Sequence, residues 1–113
     1  MKISLPSDCG NSPRMQLAAD LAVAWAAGDN ATLEPWLADD FSHSTYGSFP
    51  EAEITEIAVL GAINHGRSAS CDGYIDFGDS THPRLRFSHV YSFSSTAKTG
   101  KVIEMRTYLI DES

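Results

Sequence analysis

The stretch Arg84–Phe93, RLRFSHVYSF, alternates between two kinds of residue and therefore predicts a β-strand. Its odd-numbered positions carry a leucine, three aromatic residues and His89, whereas its even-numbered positions are mostly arginine and serine. A histidine on an otherwise apolar face has two interpretations. It is either a core residue with a satisfied hydrogen bond, or a residue that faces a binding pocket.

Strand character extends on both sides of this stretch. The apolar segment 53–64 also has helical spacing, but its isoleucine and valine content and the Asn-His-Gly turn that follows favour a strand entering a hairpin. The sequence FGDSTHP precedes the strand at Arg84, and SSTAKTGK follows it; both are rich in turn residues. We therefore predict four long antiparallel strands at about 53–64, 67–78, 84–94 and 101–110.

Helical signals are confined to the first part of the chain. Ser12 is a good N-cap, Pro13 suits a first helical turn, and Gly28 is suited to end a helix, so we predict a helix over 13–27. A second short helix is predicted through ATLEPWLADD, which ends in two turn-forming aspartates, and a short strand in FSHSTYG. The first eleven residues are predicted to be loose.

The composition is that of an ordinary globular protein and limits the partners. With 113 residues, 42% hydrophobic and 20% charged, the chain is long enough for one domain with a core. A net charge of −7 argues against nucleic acid and anionic membranes as partners. No apolar run is long enough for a membrane span or a signal peptide, so we expect a cytoplasmic protein.

The cysteines and histidines form no metal-binding pattern. The two cysteines, Cys9 and Cys71, have no disulfide or metal spacing, and we expect both to be reduced. The histidines lack the HxH and HxxxH spacings that are common in metal sites. We predict no metal and no cofactor.

Two stretches resemble the nuclear transport factor 2-like superfamily, which includes SnoaL-like polyketide cyclases, ketosteroid isomerases, scytalone dehydratase and limonene-epoxide hydrolase. LAVAWAAGDNATLEPWLADDFSH, at 21–43, is similar to the helix, Gly-Asp, helix, Ala-Asp-Asp, strand signature of these proteins. FSHVYSFSSTAKTGKVIEMRTYLI, at 87–110, is similar to their last hairpin. With the strands between them, the resemblance covers about residues 12–111.

The resemblance implies an α+β fold in which two N-terminal helices cover a curved antiparallel sheet, a cone-shaped half-barrel. Residues 1–113 would form a single SnoaL-like domain with a loose N-terminus at 1–11. The third helix of the superfamily would be missing or minimal, because only GSFPE is available for it. The fold also implies an apolar pocket and a homodimer through the outer sheet face, where we place Cys71, Glu104 and Arg106.

On this fold, strand alternation separates residues that face the pocket from residues on the outer face. Inward positions are predicted to be Leu21, Trp25, Leu37, Phe41, His43, Thr45, Ser70, Asp72, Tyr74, Phe87, His89, Tyr91, Met105, Thr107 and Leu109. From these we predict ligand-binding roles for Trp25, Phe41, His43, Tyr74, Phe87, Tyr91, Met105 and Thr107.

The candidate catalytic pair is His89 with Asp72. His89 matches the position at which ketosteroid isomerases place the protonated acid of their oxyanion hole. Asp72 is predicted to point inward from the neighbouring strand, where it would orient the imidazole and raise its pKa from about 6.5. Such a pair is suited to acid–base catalysis. The alternative is a buried polar pair that only satisfies its own hydrogen bonds.

Other catalytic positions of the superfamily do not carry over. Thr45 stands where the isomerases have their base, Leu21 where they have an oxyanion tyrosine, and Thr107 where the SnoaL-like cyclases have an aspartate. We therefore assign neither isomerase nor cyclase activity, and whether the protein is an enzyme stays open.

Two hypotheses about function follow. The first is a small-molecule pocket protein that acts on an apolar or cyclic ligand, as a lyase, isomerase or hydrolase using acid–base chemistry. The alternative is a non-catalytic ligand-binding or protein-interaction module. A closed apolar cavity that reaches His89 and Asp72 would support the first hypothesis, and an interior filled by side chains would support the second.

Overall fold

The fold is an open, curved, six-stranded mixed sheet with helices on one face, seen in a computed structural model that describes residues 1–7 and 12–112. Its elements in chain order are β1 (Lys2–Ser4), α1 (Pro13–Ala27), α2 (Asn30–Leu33), a 3₁₀ turn (Glu34–Trp36), β2 (Leu37–Tyr46), β3 (Ile54–His65), β4 (Ser68–Phe77), β5 (Leu85–Phe93) and β6 (Val102–Asp111). The predicted α+β class and all four long strands are confirmed.

Helix α1 begins and ends where its capping residues predict. The Ser12 side chain accepts a hydrogen bond from the Met15 amide at 3.4 Å, and Pro13 occupies the first turn. Gly28 ends the helix in the left-handed conformation, with a φ of 72°. Between these ends, the helix buries Leu21 and five alanines: Ala18, Ala19, Ala22, Ala24 and Ala26.

The second helix is shorter than predicted. Asp29 caps α2 by accepting a hydrogen bond from the Thr32 amide at 3.2 Å, but regular helix ends at Leu33, just before the Pro35 turn. Proline cannot donate to the preceding turn, and the following residues pair with β6 instead. Asp39 and Asp40 therefore lie in β2 rather than in a turn at a helix end, and both are solvent-exposed.

The sheet order is β1-β3-β4-β5-β6-β2. The four long strands β3 to β6 are antiparallel neighbours, whereas β2 pairs with β6 and β1 pairs with β3 in parallel. The prediction of a loose N-terminus is wrong for residues 2–4, which form β1, and the Ser4 hydroxyl donates to Glu56 at 3.0 Å. Cys9 lies outside the described residues.

No helix forms between β2 and β3. Residues 47–53 are turn and irregular structure, so the expected absence of the third helix is confirmed. Helix α1 packs on β3 and β4, and its alanines form the core with inward side chains of the four long strands. No helix among the described residues is long and apolar enough to cross a membrane.

The predicted register is correct for β5 and β6 and wrong for β4. Cys71 lies opposite His89, and Asp72 lies opposite Ser88. Cys71 is buried under α1, with its Sγ 3.7 Å from the Ala18 carbonyl oxygen, so it is not on the outer face as predicted. The reason is the close approach of α1, which favours the small side chains of β4 beneath it.

Candidate functional site

His89 lies at the centre of the inner sheet face and is fully buried. Its relative exposure is 0%. Three aromatic rings surround the imidazole: Trp25 edge-on with ring centroids 4.5 Å apart, Phe87 at 5.2 Å and Tyr91 at 5.9 Å. The interior around His89 is therefore filled by side chains.

A single hydroxyl connects His89 to a second histidine. Thr107, on β6, lies 2.9 Å from His89 Nδ1 and 2.8 Å from His43 Nε2, both measured from its Oγ1. Thr45 approaches the same His43 nitrogen less closely, at 3.5 Å. We call His43, Thr107 and His89 the histidine–threonine chain. It runs from the solvent-exposed His43 to the buried His89.

The histidine–threonine chain forms because the β5–β6 and β2–β6 registers bring its three residues together. Thr107 faces His89 in the antiparallel β5–β6 ladder, and His43 and Thr45 sit opposite Met105 and Thr107 in the parallel β2–β6 ladder. All of these positions are on the inner face, so the hydroxyl lies between the two rings.

The other nitrogen of His89 is left without a partner. Nε2 is buried and makes no hydrogen bond within the described residues. A buried polar atom without a partner costs about 1–3 kcal/mol. Such atoms are uncommon in folded proteins, so this one requires an explanation.

Burial favours the neutral form of both histidines in the histidine–threonine chain, and far more strongly for His89 than for His43. Burial lowers the pKa of His89 from 6.5 to about 3, and the nearby His43 lowers it further in the same direction. Burial also lowers the pKa of His43. The prediction that the pKa of His89 is raised is therefore wrong, because desolvation acts without an opposing carboxylate.

Asp72 does not meet His89. It is solvent-exposed on the outer sheet face, one register position away from the inward Cys71. Tyr74 and Ser70 point outward with it, again contrary to the predicted register. The Tyr74 ring instead lies under the guanidinium of Arg84, 3.7 Å from Cζ to the ring centroid. The predicted Asp72–His89 pair and the predicted pocket position of Tyr74 are both wrong.

The other predicted ligand-binding residues lie on the inner face, as expected, but most are core residues. Phe87, Tyr91, Met105 and Thr107 are between 0% and 4% exposed. The Tyr91 hydroxyl donates to the Ala18 carbonyl at 3.2 Å, and burial raises the pKa of this phenol. Trp25 and Phe41 are partly buried against the core.

A recess opens to solvent at the C-terminal end of α1. It has a volume of about 410 Å³. Trp25 joins it to His89, since the same indole contacts the imidazole and lines the recess. We call it the Trp25 recess. Its lining residues are Trp25, Ala26, Ala27, Gly28, Thr45, Phe49 and Leu109.

Phe49 belongs to the recess and was not identified from the sequence. Its ring meets Trp25 edge-on at 5.3 Å between centroids, and it also contacts Phe77 at 6.0 Å. It lies in the irregular segment 47–53, where no strand alternation indicates which way a side chain points. The only available signal was a large aromatic residue in a short turn segment.

The outer sheet face carries a group of exposed apolar residues. Tyr46 and Tyr108 stack on adjacent strands, with ring centroids 5.2 Å apart. Glu104 and Arg106 lie on this face as predicted, and they form an ion pair at 2.6 Å. The exposed apolar residues of this face are Tyr46, Leu60, Ile63, Tyr108 and Ile110.

No metal site is evident within residues 1–7 and 12–112. There, no three histidine, cysteine, aspartate or glutamate side chains cluster closely enough to hold an ion.

Comparison with known proteins identifies the fold. No protein-family model matches the sequence, and no curated protein matches it. A crystal structure of a Mesorhizobium loti protein, provisionally described as a SnoaL-like polyketide cyclase, aligns with a TM-score of 0.56 and 21% identity, covering 82% of this chain and 96% of that one. The chain therefore has the SnoaL-like, nuclear transport factor 2-like fold that its sequence resembles.

Proposed function

We propose that the protein binds a neutral, largely apolar small molecule in the Trp25 recess, with His89 Nε2 as its polar anchor. The observation that carries this proposal is the unpartnered Nε2, which is buried beside the indole that lines the recess. A ligand oxygen that reached this nitrogen would satisfy it. The apolar part of the ligand would then lie against Trp25, Phe49 and Leu109.

The size and lining of the recess fit this class of ligand. Small-molecule sites commonly have volumes of about 300–1,000 Å³ and are mostly apolar, with a few polar groups that fix orientation. The recess has a volume of about 410 Å³ and is lined by two aromatic rings, with Thr45 as its one hydroxyl residue. Its lining residues include no charged side chain, which disfavours an ionic ligand.

Binding is a better interpretation than catalysis. A general base near neutral pH works best with a pKa close to the working pH. The pKa of His89 is about 3, and Asp72 lies on the opposite sheet face. The filled interior also agrees with the non-catalytic alternative that the sequence left open. The neighbour with the same fold is described as a cyclase, but this chain has Thr107 where the cyclases have an aspartate.

The test is a titration with 1-indanone, a neutral bicyclic ketone, followed by ¹⁵N NMR. The chain has two tryptophans, Trp25 and Trp36, so each indole N–H serves as a reporter. We expect a saturable shift of the Trp25 indole and of the Phe49 and Leu109 amides. The Trp36 indole should stay unchanged, because it is not among the residues that line the recess.

Phe49→Ala should weaken 1-indanone binding roughly tenfold, since it removes an aromatic wall. Trp36→Phe is the matched control and should bind as the wild type does. The proposal fails if no signal from the recess shifts up to millimolar 1-indanone and millimolar 1-indanol. It also fails if the Phe49 and Trp36 variants weaken binding equally.

A second candidate function is self-association, and the exposed apolar outer face favours it. We propose a homodimer in which a second copy of the chain covers the face marked by Leu60, Tyr108 and Ile110. The charges of this face are largely paired, as in Arg84–Asp76 and Arg106–Glu104. Two chains of net charge −7 would repel least through such a face.

Sedimentation velocity at micromolar concentration tests the dimer. We expect a dimer for the wild type and a monomer for Ile110→Lys, which places a charge on the proposed contact surface. Leu5→Lys is the control, because Leu5 is also an exposed apolar residue but lies outside the sheet. A monomeric wild type, or equal dissociation by both variants, would exclude this dimer.

A further inference from the structure

We propose that the Thr107 hydroxyl couples the two imidazoles, so that protonation of His43 fixes His89 Nε2 as a hydrogen-bond donor and deprotonation of His43 frees it to be an acceptor. His43 and Thr107 would then decide which kind of oxygen the ligand site accepts. This consequence for the ligand rests on the proposed binding function. The coupling between the histidines does not.

The coupling follows from how few protons the hydroxyl can share. A threonine hydroxyl donates one hydrogen bond and accepts others. The hydrogen bonds of Thr107 within the described residues run to His89 Nδ1 and His43 Nε2. If both nitrogens donated to the oxygen, its own proton would be buried without an acceptor. If neither donated, two bare nitrogens would compete for one proton. One ring must therefore donate and the other must accept.

A protonated His43 leaves one arrangement. Both of its ring nitrogens then carry protons, so its Nε2 donates to Thr107 Oγ1. The hydroxyl must donate onward to His89 Nδ1, which is therefore bare. A neutral His89 with a bare Nδ1 carries its proton on Nε2. The unpartnered nitrogen is then a donor, suited to a carbonyl oxygen.

A neutral His43, which leaves one proton fewer on the two rings and the hydroxyl, permits the reverse arrangement. His89 Nδ1 then donates to Thr107, the hydroxyl donates to His43 Nε2, and His43 keeps its proton on Nδ1. His89 Nε2 is now bare and suited to a ligand hydroxyl. Without a ligand this arrangement should be favoured, since a buried N–H without a partner is rarer in proteins than a buried acceptor without one.

Among the described residues, few other ionisable groups lie beside the two rings. The ionisable residues beside His89 on the inner face are Tyr91 on the same strand and Cys71 on β4. Burial raises the pKa of Tyr91, so it stays neutral. Helix α1 presents Trp25, β6 presents Thr107, and β2 presents Phe41 and Thr45 beside His43. Of the two histidines, only His43 is solvent-exposed.

The coupling can be measured without a ligand, by ¹⁵N NMR of the histidine rings between pH 5 and pH 8. We expect His43 to titrate with a midpoint below 6.5. His89 should stay neutral, yet its Nε2 signal should move at the midpoint of His43, from a protonated nitrogen at low pH towards a bare one at high pH. Thr107→Ser, which keeps the hydroxyl, should behave as the wild type does.

Thr107→Val keeps the shape of the side chain but lacks the hydroxyl, and should abolish the response of His89. If this variant does not fold, His43→Gln supplies the test, because it removes the titrating group and should leave the His89 signals constant. A His89 signal that does not follow His43 in the wild type overturns the proposal. An equal response in Thr107→Val also overturns it, since the effect would then pass through space.

The ligand consequence is tested with 1-indanone and 1-indanol, which differ only in a carbonyl and a hydroxyl. The affinity ratio of ketone to alcohol should rise roughly three- to tenfold as the pH falls through the His43 midpoint, the value of about one hydrogen bond. It should not depend on pH in His43→Gln. A constant ratio in the wild type, with the NMR coupling intact, refutes His89 Nε2 as the polar anchor of the ligand. Loss of the NMR coupling refutes the inference itself.

Discussion

Replacing His89 by leucine should remove a defined part of the pH dependence of stability. Folding lowers the pKa of this imidazole from 6.5 to about 3. Between these values the unfolded chain binds a proton that the folded chain does not. The free energy of unfolding must therefore fall as the pH falls through this window.

The expected size can be worked out from the linkage relation. Folding lowers the pKa of His89 from 6.5 to about 3. This residue alone should therefore lower the free energy of unfolding by about 0.7 kcal/mol between pH 7 and pH 6, and by about 2 kcal/mol between pH 7 and pH 5. The value at pH 5 hardly depends on the folded pKa, because a folded pKa of about 4 would give nearly the same result. It depends mainly on the unfolded pKa, which is well known.

The assay is urea unfolding at pH 5, 6 and 7, for the wild type and for His89→Leu. The variant will have a different absolute stability, so the quantity to compare is the change with pH. The wild type should lose about 2 kcal/mol more than the variant over this range. An equal loss would mean that His89 titrates normally in the folded state. A wild type that gains stability relative to the variant at pH 5 would mean that a carboxylate does pair with His89.

Three further changes test particular contacts. Asp72→Asn should leave the ring signals of His89 unchanged over pH 5–8, because the two side chains lie on opposite faces of the sheet; a shift in those signals would contradict the β4 register. Gly73→Ala should lower the free energy of unfolding in urea by about 1–3 kcal/mol, because its added Cβ would lie 1.9 Å from a backbone carbonyl oxygen of β3. Gly61→Ala is the control: its Cβ would meet only ordinary contacts, so the loss should be clearly smaller. Tyr91→Phe should lower the free energy of unfolding by about 1 kcal/mol by removing the hydrogen bond to a carbonyl of α1, and an unchanged value would mean that this bond contributes nothing.

The parts of the fold that follow from local patterns could be predicted from the sequence. Helix α1 carries its own signals in Ser12, Pro13 and Gly28, and the inner face of β5 is marked by large apolar residues. Strand β1 could not be foreseen, since three residues hold no periodicity. It forms because its backbone pairs in parallel with β3.

The register of β4 shows where alternation fails. A period of two predicts a strand but does not say which of its faces is buried. The even-numbered positions Ser70, Asp72 and Tyr74 were predicted to face inward, and the structure places them on the outer face. The deciding fact lies elsewhere in the chain, in the close approach of α1 over Cys71. An error of one residue moved Asp72 from the proposed catalytic site to the solvent.

The candidate site required long-range pairing as well as local pattern. His89 and Thr107 were identified as inward residues from their own strands. The contact between the Thr107 hydroxyl and His43 depends on the parallel pairing of β2 with β6, across a sequence separation of 64 residues. No local feature of FSHSTYG specifies that register. Phe49 was missed for the related reason that irregular backbone has no periodicity to interpret.

The composition of α1 explains why a ligand would be held at one end of the helix rather than inside the sheet. Buried alanines bring a helix axis close to the surface on which it packs, and four alanines of α1 belong to the core formed with the sheet: Ala18, Ala19, Ala22 and Ala26. The space left under the helix is filled by Trp25, Phe87 and Tyr91 around His89. Past Ala27 the helix ends at Gly28, and residues 47–53 form no third helix that would cover the end of the sheet. A small molecule could therefore reach the unpartnered nitrogen of His89 most directly from the Trp25 recess, by displacing one indole edge rather than by separating the helix from the sheet.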